Sequence, residues 1–176
     1  MRIAVARAGL GSAILTALLA AAALRAPAAG LDGMTGTWVR ADRERDDAAR
    51  DAMIVRATEP MSFAFRGVAR GVMRTRMVPS EQYVVERGDD ALQIRNDKGT
   101  VFPIDGRVHS TGKDREVTSR VAEGGVIEQA WKESDSHGVT TWRLDGQKRL
   151  VVSQRIVDPH FEAPLEYSTT YQRLVQ

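Results

Sequence analysis

From residue 80 to the end the chain has one rhythm, and that rhythm excludes most folds. Short runs rich in Val, Ile, Thr, Tyr and Trp occupy 82–87, 91–96, 100–104, 115–122, 126–133, 139–144, 149–157 and 167–175. Most are separated by turn formers: Gly88-Asp89-Asp90, Asp97-Lys98-Gly99, Asp105-Gly106, Gly124-Gly125, Ser136-His137-Gly138 and Asp145-Gly146. Asp-Gly and Gly-Gly pairs supply the positive φ angles that tight hairpins need. Such strands joined by short turns form an antiparallel meander. An earlier strand, Gly36-Thr37-Trp38-Val39-Arg40, brings the count to about nine. A sheet of that size closes on itself rather than leaving its edges bare. The expected fold is mainly β, a barrel of about 8–10 strands with one or two helices between the first and second strands.

Those helices are written between residues 42 and 79. Ala48, Ala52 and Val55 recur at helical spacing, as do Ala49 and Met53, and Asp46 and Asp47 suit a helix N-terminus. A second helix is expected from Met61, with Met61, Phe65, Val68 and Val72 on one face. Gly67 and Gly71 weaken it. Its other face carries Arg66, Arg70 and Arg74 at spacing four. That stripe reads as a solvated surface, or as a weak contact with an anionic membrane.

The first 28 residues have the three parts of a secretory signal. Arg2 and Arg7 precede an Ala- and Leu-rich run from Ala8 to Leu24, and Ala26-Pro27-Ala28 offers small residues for cleavage. The expected mature domain is 29–176, exported to the periplasm or beyond. The absence of an Arg-Arg pair favours the general secretion route, and the absence of cysteine excludes a lipidated one. Removing the signal takes away Arg2, Arg7 and Arg25. The 25 basic residues then fall to 22 against 23 acidic ones, a net charge of −1. A nucleic-acid partner, which needs a surplus of positive charge, loses its support. No disulfide can staple an exported chain without cysteine, so about 148 residues must be held by their own core, a usual size for one domain.

Gly36-Thr37-Trp38 on the first strand and Arg173 near the end of the last one together resemble the signature of the lipocalin and calycin barrels. The resemblance implies that Trp38 closes the barrel floor and that Arg173 lies across its ring as a cation–π contact. The order of one strand, a helical pair and a long meander is similar to the fatty-acid-binding branch of those barrels, and the chain also resembles small exported bacterial proteins described only as lipocalin-like. That branch holds a carboxylate with an Arg-x-Tyr pair on its final strand. Here Tyr171-Gln172-Arg173 runs in the reverse order, so the site does not transfer.

Alternation assigns the candidate interior. Trp131 shares a strand face with Ile127 and Gln129, and Trp142 shares one with Thr140 and Leu144. Tyr167, Thr169 and Tyr171 fall on the face of Arg173, and Gln154 sits among Leu150, Val152 and Ile156. The candidate ligand-binding set is therefore Gln129, Trp131, Trp142, Gln154, Tyr167, Thr169 and Tyr171; the same side chains also serve to fill a core. His109, His137 and His160 lie in or beside turns without partners at metal-ligand spacing, although Asp158 and Glu162 flank His160. There is no Gly-x-Ser-x-Gly and no phosphate loop. No metal, cofactor or catalytic constellation is expected. The favoured function is a binding protein for a small, at least partly apolar ligand. The alternative is a non-enzymatic interaction or envelope-stress module with a side-chain-filled barrel. N-terminal sequencing of the exported protein should find a chain beginning at Ala29 in the soluble fraction; intact Met1 in the membrane fraction would refute the signal.

Overall fold

The computed structural model describes residues 31, 33–88, 91–111 and 114–175. The expected signal and its cleavage site lie outside the described residues. The elements are β1 Gly36–Arg40, α1 Arg43–Thr58, α2 Phe63–Arg76, β2 Gln82–Arg87, β3 Leu92–Asn96, β4 Val101–Ile104, β5 Val108–Ser110, β6 Arg115–Val121, β7 Ile127–Glu133, β8 Ser136–Leu144, β9 Leu150–Val157 and β10 Leu165–Arg173. The ten strands form one curled antiparallel sheet in the order β4-β3-β2-β1-β10-β9-β8-β7-β6-β5. The strand beyond the expected nine is β5, whose three residues are too short to show a period of two. The helical pair joins β1 to β2, and β4 approaches β6 where the sheet curls round on itself.

First and last strands meet in register, with Trp38 opposite Arg173 and Arg40 opposite Tyr171. The Arg173 guanidinium lies 5.0 Å from the centre of the Trp38 ring and donates to the carbonyls of Gly33 and Thr35. The Trp38 indole N–H donates to the Met34 carbonyl at 2.7 Å. Gly36 has φ +133°, a conformation side chains avoid, and a Cβ there would sit 3.7 Å from the Arg173 guanidinium carbon. The residues of Gly-Thr-Trp are thus set by backbone conformation, ring burial and cation stacking together. Above this floor, Tyr83, Val85, Ile94, Ile127, Trp142, Leu150, Val152 and Tyr171 form one packed core. Tyr83 meets Trp142 and Tyr171 edge-on, at 6.2 and 5.1 Å.

The helices sit over the inner face of β9 and β10. Asp42 caps α1, accepting from the Arg45 amide. One turn on, the buried Asp46 carboxylate accepts from the Thr170 backbone N–H at 2.7 Å and pairs with Arg45. This ties the start of α1 to β10. Met53 and Ile54 of α1 and Met73 of α2 pack against Leu165 and Tyr167.

The orientation of α2 corrects the expectation. Its basic stripe faces α1: Arg66 and Arg70 lie 3.7 and 3.5 Å from Glu59, and Arg74 lies 3.3 Å from Asp51. Arg70 also donates to the Thr58 hydroxyl. The apolar face expected to cover the barrel points to solvent instead, with Phe63 91% and Phe65 72% exposed and Val68 and Val72 also exposed. Among α2 residues only Met73 is buried. Three local ion pairs and one thioether thus outcompete an apolar face that has no groove to enter. Arg66, Arg70 and Arg74, the stripe expected to face solvent or a membrane, stand within ion-pair distance of Glu59 and Asp51. Among the described residues, no helix is long and apolar enough to cross a membrane.

Replacing Trp38 by Ala should cost about 3–5 kcal/mol, the usual loss for a buried large aromatic. Chemical denaturation measures it, and an unchanged midpoint would remove Trp38 from its role in the floor.

Candidate functional site

Strand register lays the inner face of β6–β10 out in rows, because residues directly opposite in antiparallel strands share a face. One row runs Ser119, Gln129, Thr140, Gln154, Tyr167 across all five strands. Every member is polar. The row nearer the floor is Val121, Ile127, Trp142, Val152, Thr169, and the row nearer the mouth is Val117, Trp131, Gly138, Ile156, Leu165. A polar belt therefore crosses the inner wall between two mainly apolar rows.

Four belt members are buried, with Ser119 2%, Gln129 3% and Thr140 7% exposed beside Tyr167, and Gln154 is half-buried. The belt is partly self-satisfied. The Gln129 amide donates to the Ser119 hydroxyl at 3.1 Å, and the Tyr167 hydroxyl donates to the Gln154 carbonyl oxygen at 2.8 Å. Burial pushes the Tyr167 phenol far above its ordinary range, against the opposing pull of nearby Arg50. Tyr171 is likewise driven up by burial, and its hydroxyl donates to the Ser80 carbonyl at 2.7 Å. Both phenols stay neutral, so none of the five belt side chains carries charge.

The seven side chains expected to line an interior all lie on this one face. Gln129, Gln154 and Tyr167 belong to the belt, Thr169 and Trp142 to the row beneath, and Trp131 to the row above. Trp142 and Tyr171 are members of the packed lower core, and the buried Trp142 Nε1 has no acceptor. Extending alternation into β6 and β8 would have added Ser119 and Thr140. Arg115 and Gly138 needed the tertiary structure.

Those two residues build the mouth. A Cβ at Gly138 would meet the Arg155 carbonyl oxygen at 2.6 Å and the Trp131 ring at 2.7 Å. Trp131 therefore lies flat across the backbone of its neighbour, which only glycine permits. The Arg115 guanidinium lies 4.9 Å from the centre of the same ring.

Elsewhere the polar groups are occupied. The His160 Nδ1 lies 2.8 Å from Asp158, whose other oxygen accepts from Ser136 at 2.7 Å. Burial works against ionising Asp158, but these donors and the His160 amide outweigh it and hold its carboxyl below the ordinary range. Among the described residues no group of acids and histidines has the geometry of a metal site. An open depression of about 580 Å³ on the outer side of β7–β10 involves Glu128, Thr141, Ser153, Arg155, Glu166 and Ser168. Its charges are already paired, Arg155 with Glu166 and Glu128 with Arg120.

No family model matches the sequence, and no curated protein matches it. Several solved structures do. One is described as the REP1-NXSQ fatty acid transporter, 15% identical over 82% of this chain and 98% of that one, with a TM-score of 0.49. Another is apo Caenorhabditis elegans lipid binding protein 8, 12% identical over 82% of this chain and 97% of that one, at 0.47. A third is a Schistosoma mansoni fatty acid binding protein in complex with arachidonic acid, 12% identical over 83% and 99%, at 0.45. At these identities and scores the likeness carries no argument. Ten antiparallel strands in one curled sheet, with two helices after the first, decide the fold. It is a mainly β, curled half-barrel. In this barrel the last strand pairs with the first, so the polar belt ends one strand from β1, beside the helices.

Gly138→Ala should destabilise the barrel by about 1–3 kcal/mol, as overpacking does. It should also shift tryptophan emission as Trp131 is lifted from the sheet. A variant with unchanged stability and emission would show that the ring does not lie there.

Proposed function

We propose that this chain is exported and that its mature form binds a small, partly apolar molecule against the inner face of β6–β10. The polar belt carries the proposal. Burying amides and hydroxyls between apolar rows is costly unless they find partners, and an apolar core of the same shape would avoid that cost. Apolar walls with a few convergent polar groups are what small-molecule sites present. Gln129, Thr140, Gln154 and Tyr167 would orient the ligand's polar part, while Trp131, Ile156 and Leu165 would meet its apolar part. The packed floor beneath Trp142 sets the depth of such a site. The reading is of a binder and not of an enzyme, since the belt offers hydrogen bonds but no nucleophile–base pair. Some of the similar solved chains are described as fatty acid or lipid binders, which agrees with this reading without carrying it.

A second reading, an interaction or envelope-stress module with a filled barrel, is favoured by one observation. The outward face of α2 shows Phe63, Phe65, Val68 and Val72 to solvent, and exposed apolar surface of this kind marks contact sites. A weak contact of Arg66, Arg70 and Arg74 with an anionic membrane would compete with their ion pairs to Glu59 and Asp51.

Native mass spectrometry of gently purified protein should show a copurified small molecule. Titration with fatty acids and other apolar probes should change tryptophan emission saturably, and Trp142→Phe should reduce that change. Gln154→Leu strands the Tyr167 hydroxyl and should cost about 1–3 kcal/mol of stability as well as affinity for probes with a polar end. A chain that carries nothing and binds no probe would favour the interaction module.

A further inference from the structure

Resting on the barrel-binding reading, we infer that an amphipathic anion enters this barrel tail first, and that Arg115, stacked on Trp131 at the mouth, holds its charged head. The inference comes from where cationic charge remains uncompensated. Arg40, on the inner face of β1, is buried, with Asp47 at 2.9 Å and Glu81 at 3.6 Å. Arg50 of α1, close enough to influence Tyr167, has Asp47 at 3.2 Å and Asp51 at 3.5 Å. Arg173 spends its donors on two backbone carbonyls beneath Trp38. The belt itself is neutral. Among the described residues, an anionic head placed deep in this barrel would meet phenols, amides and hydroxyls but no free positive charge.

Arg115 differs from all of these. It shares its face with Val117 and Ser119, so it belongs to the inner wall at the open end. Among the described residues, no carboxylate comes within ion-pair distance of it. Glu133, its register partner, is exposed and not paired with it. The Arg115 Nε is buried and has no acceptor, as in Arg40 and Arg50, but those two guanidiniums have carboxylates beside them. Its guanidinium plane is instead held against Trp131, which Gly138 in turn allows to lie flat. A guanidinium with spare donors on a rigid aromatic support is preorganised for a carboxylate or another oxyanion. From there the inner wall runs past Ile156 and Leu165, then to the belt, then to Trp142, so a tail would point towards the packed core.

The probes are dodecanoate and dodecanol, which differ only in the head. Arg115→Gln should weaken dodecanoate about tenfold to a hundredfold, the worth of a charge-assisted hydrogen bond, and leave dodecanol within about twofold. Arg115→Lys keeps the charge and should recover part of the loss. A second measurement needs no change at Arg115. Dodecanoate brominated beside its carboxylate should quench Trp131 more strongly than dodecanoate brominated at its far end. The Trp131 contribution is taken as the difference between the unaltered chain and Trp131→Phe. Equal effects of Arg115→Gln on both probes, or stronger quenching by the far-end bromine, would overturn the head-out assignment while leaving the barrel as a binder. If neither dodecanoate nor dodecanol binds, the barrel-binding reading falls and this inference falls with it.

Discussion

The contact between Trp38 and Arg173 joins residues near the two ends of the described chain, and the barrel depends on it. Without β1 beside β10, the sheet would fall into two pieces, β1–β4 and β5–β10, because no other pairing among the described residues joins them. The ring is buried, its N–H is satisfied by Met34, and its outer face is covered by a guanidinium that is itself bound to two carbonyls. Each element supports the next. Gly36 takes the positive φ that leads the chain past Arg173, Arg173 covers Trp38, and Trp38 seats the lower core of Tyr83, Ile127, Trp142 and Leu150.

Above a floor filled by aromatics, the inward side chains turn polar in one belt and then mainly apolar again in the row nearer the mouth. That layering gives the barrel two parts, one that supplies stability and one that supplies a surface for recognition. The lower part buries large apolar side chains, the main source of folding free energy. The upper part accepts Ser119, Gln129, Thr140 and Gln154, which contribute little to apolar burial. Electrostatics follows the same division. Charges near the helices are matched in pairs, with Arg40, Arg50 and Arg45 set against Asp47, Glu81, Asp51 and Asp46. Arg115 at the opposite rim is matched only by an aromatic face.

The second helix shows how local amphipathicity can mislead. The pattern of Met61, Phe65, Val68 and Val72 is a sound helix signal, and a helix formed there. Which face turned inward was settled by α1, whose Glu59 and Asp51 stand where three arginines can reach them. Burying partly neutralised arginine stems against a neighbouring helix left the aromatic face outside.

Much of this protein was legible in its residues. The alternation of apolar and polar positions marks most of the strands, and the Asp-Gly and Gly-Gly pairs mark their hairpins, because both depend only on neighbours along the chain. The placement of Gln129, Trp131, Gln154 and Tyr167 on one face followed from the same period of two. Other features depended on distance in space. The three-residue β5 is held by pairing with β6 and has no periodicity of its own. Arg115 is meaningful only because Trp131 lies beneath it, and Trp131 lies flat only because Gly138 is its partner in register. Asp46 looked like an ordinary helix-start acid until β10 brought the Thr170 amide to it, 124 positions away in sequence. Periodicity tells which way a side chain points relative to its own strand or helix. What it meets there is decided by elements the chain reaches much later, and only the folded barrel brings them together.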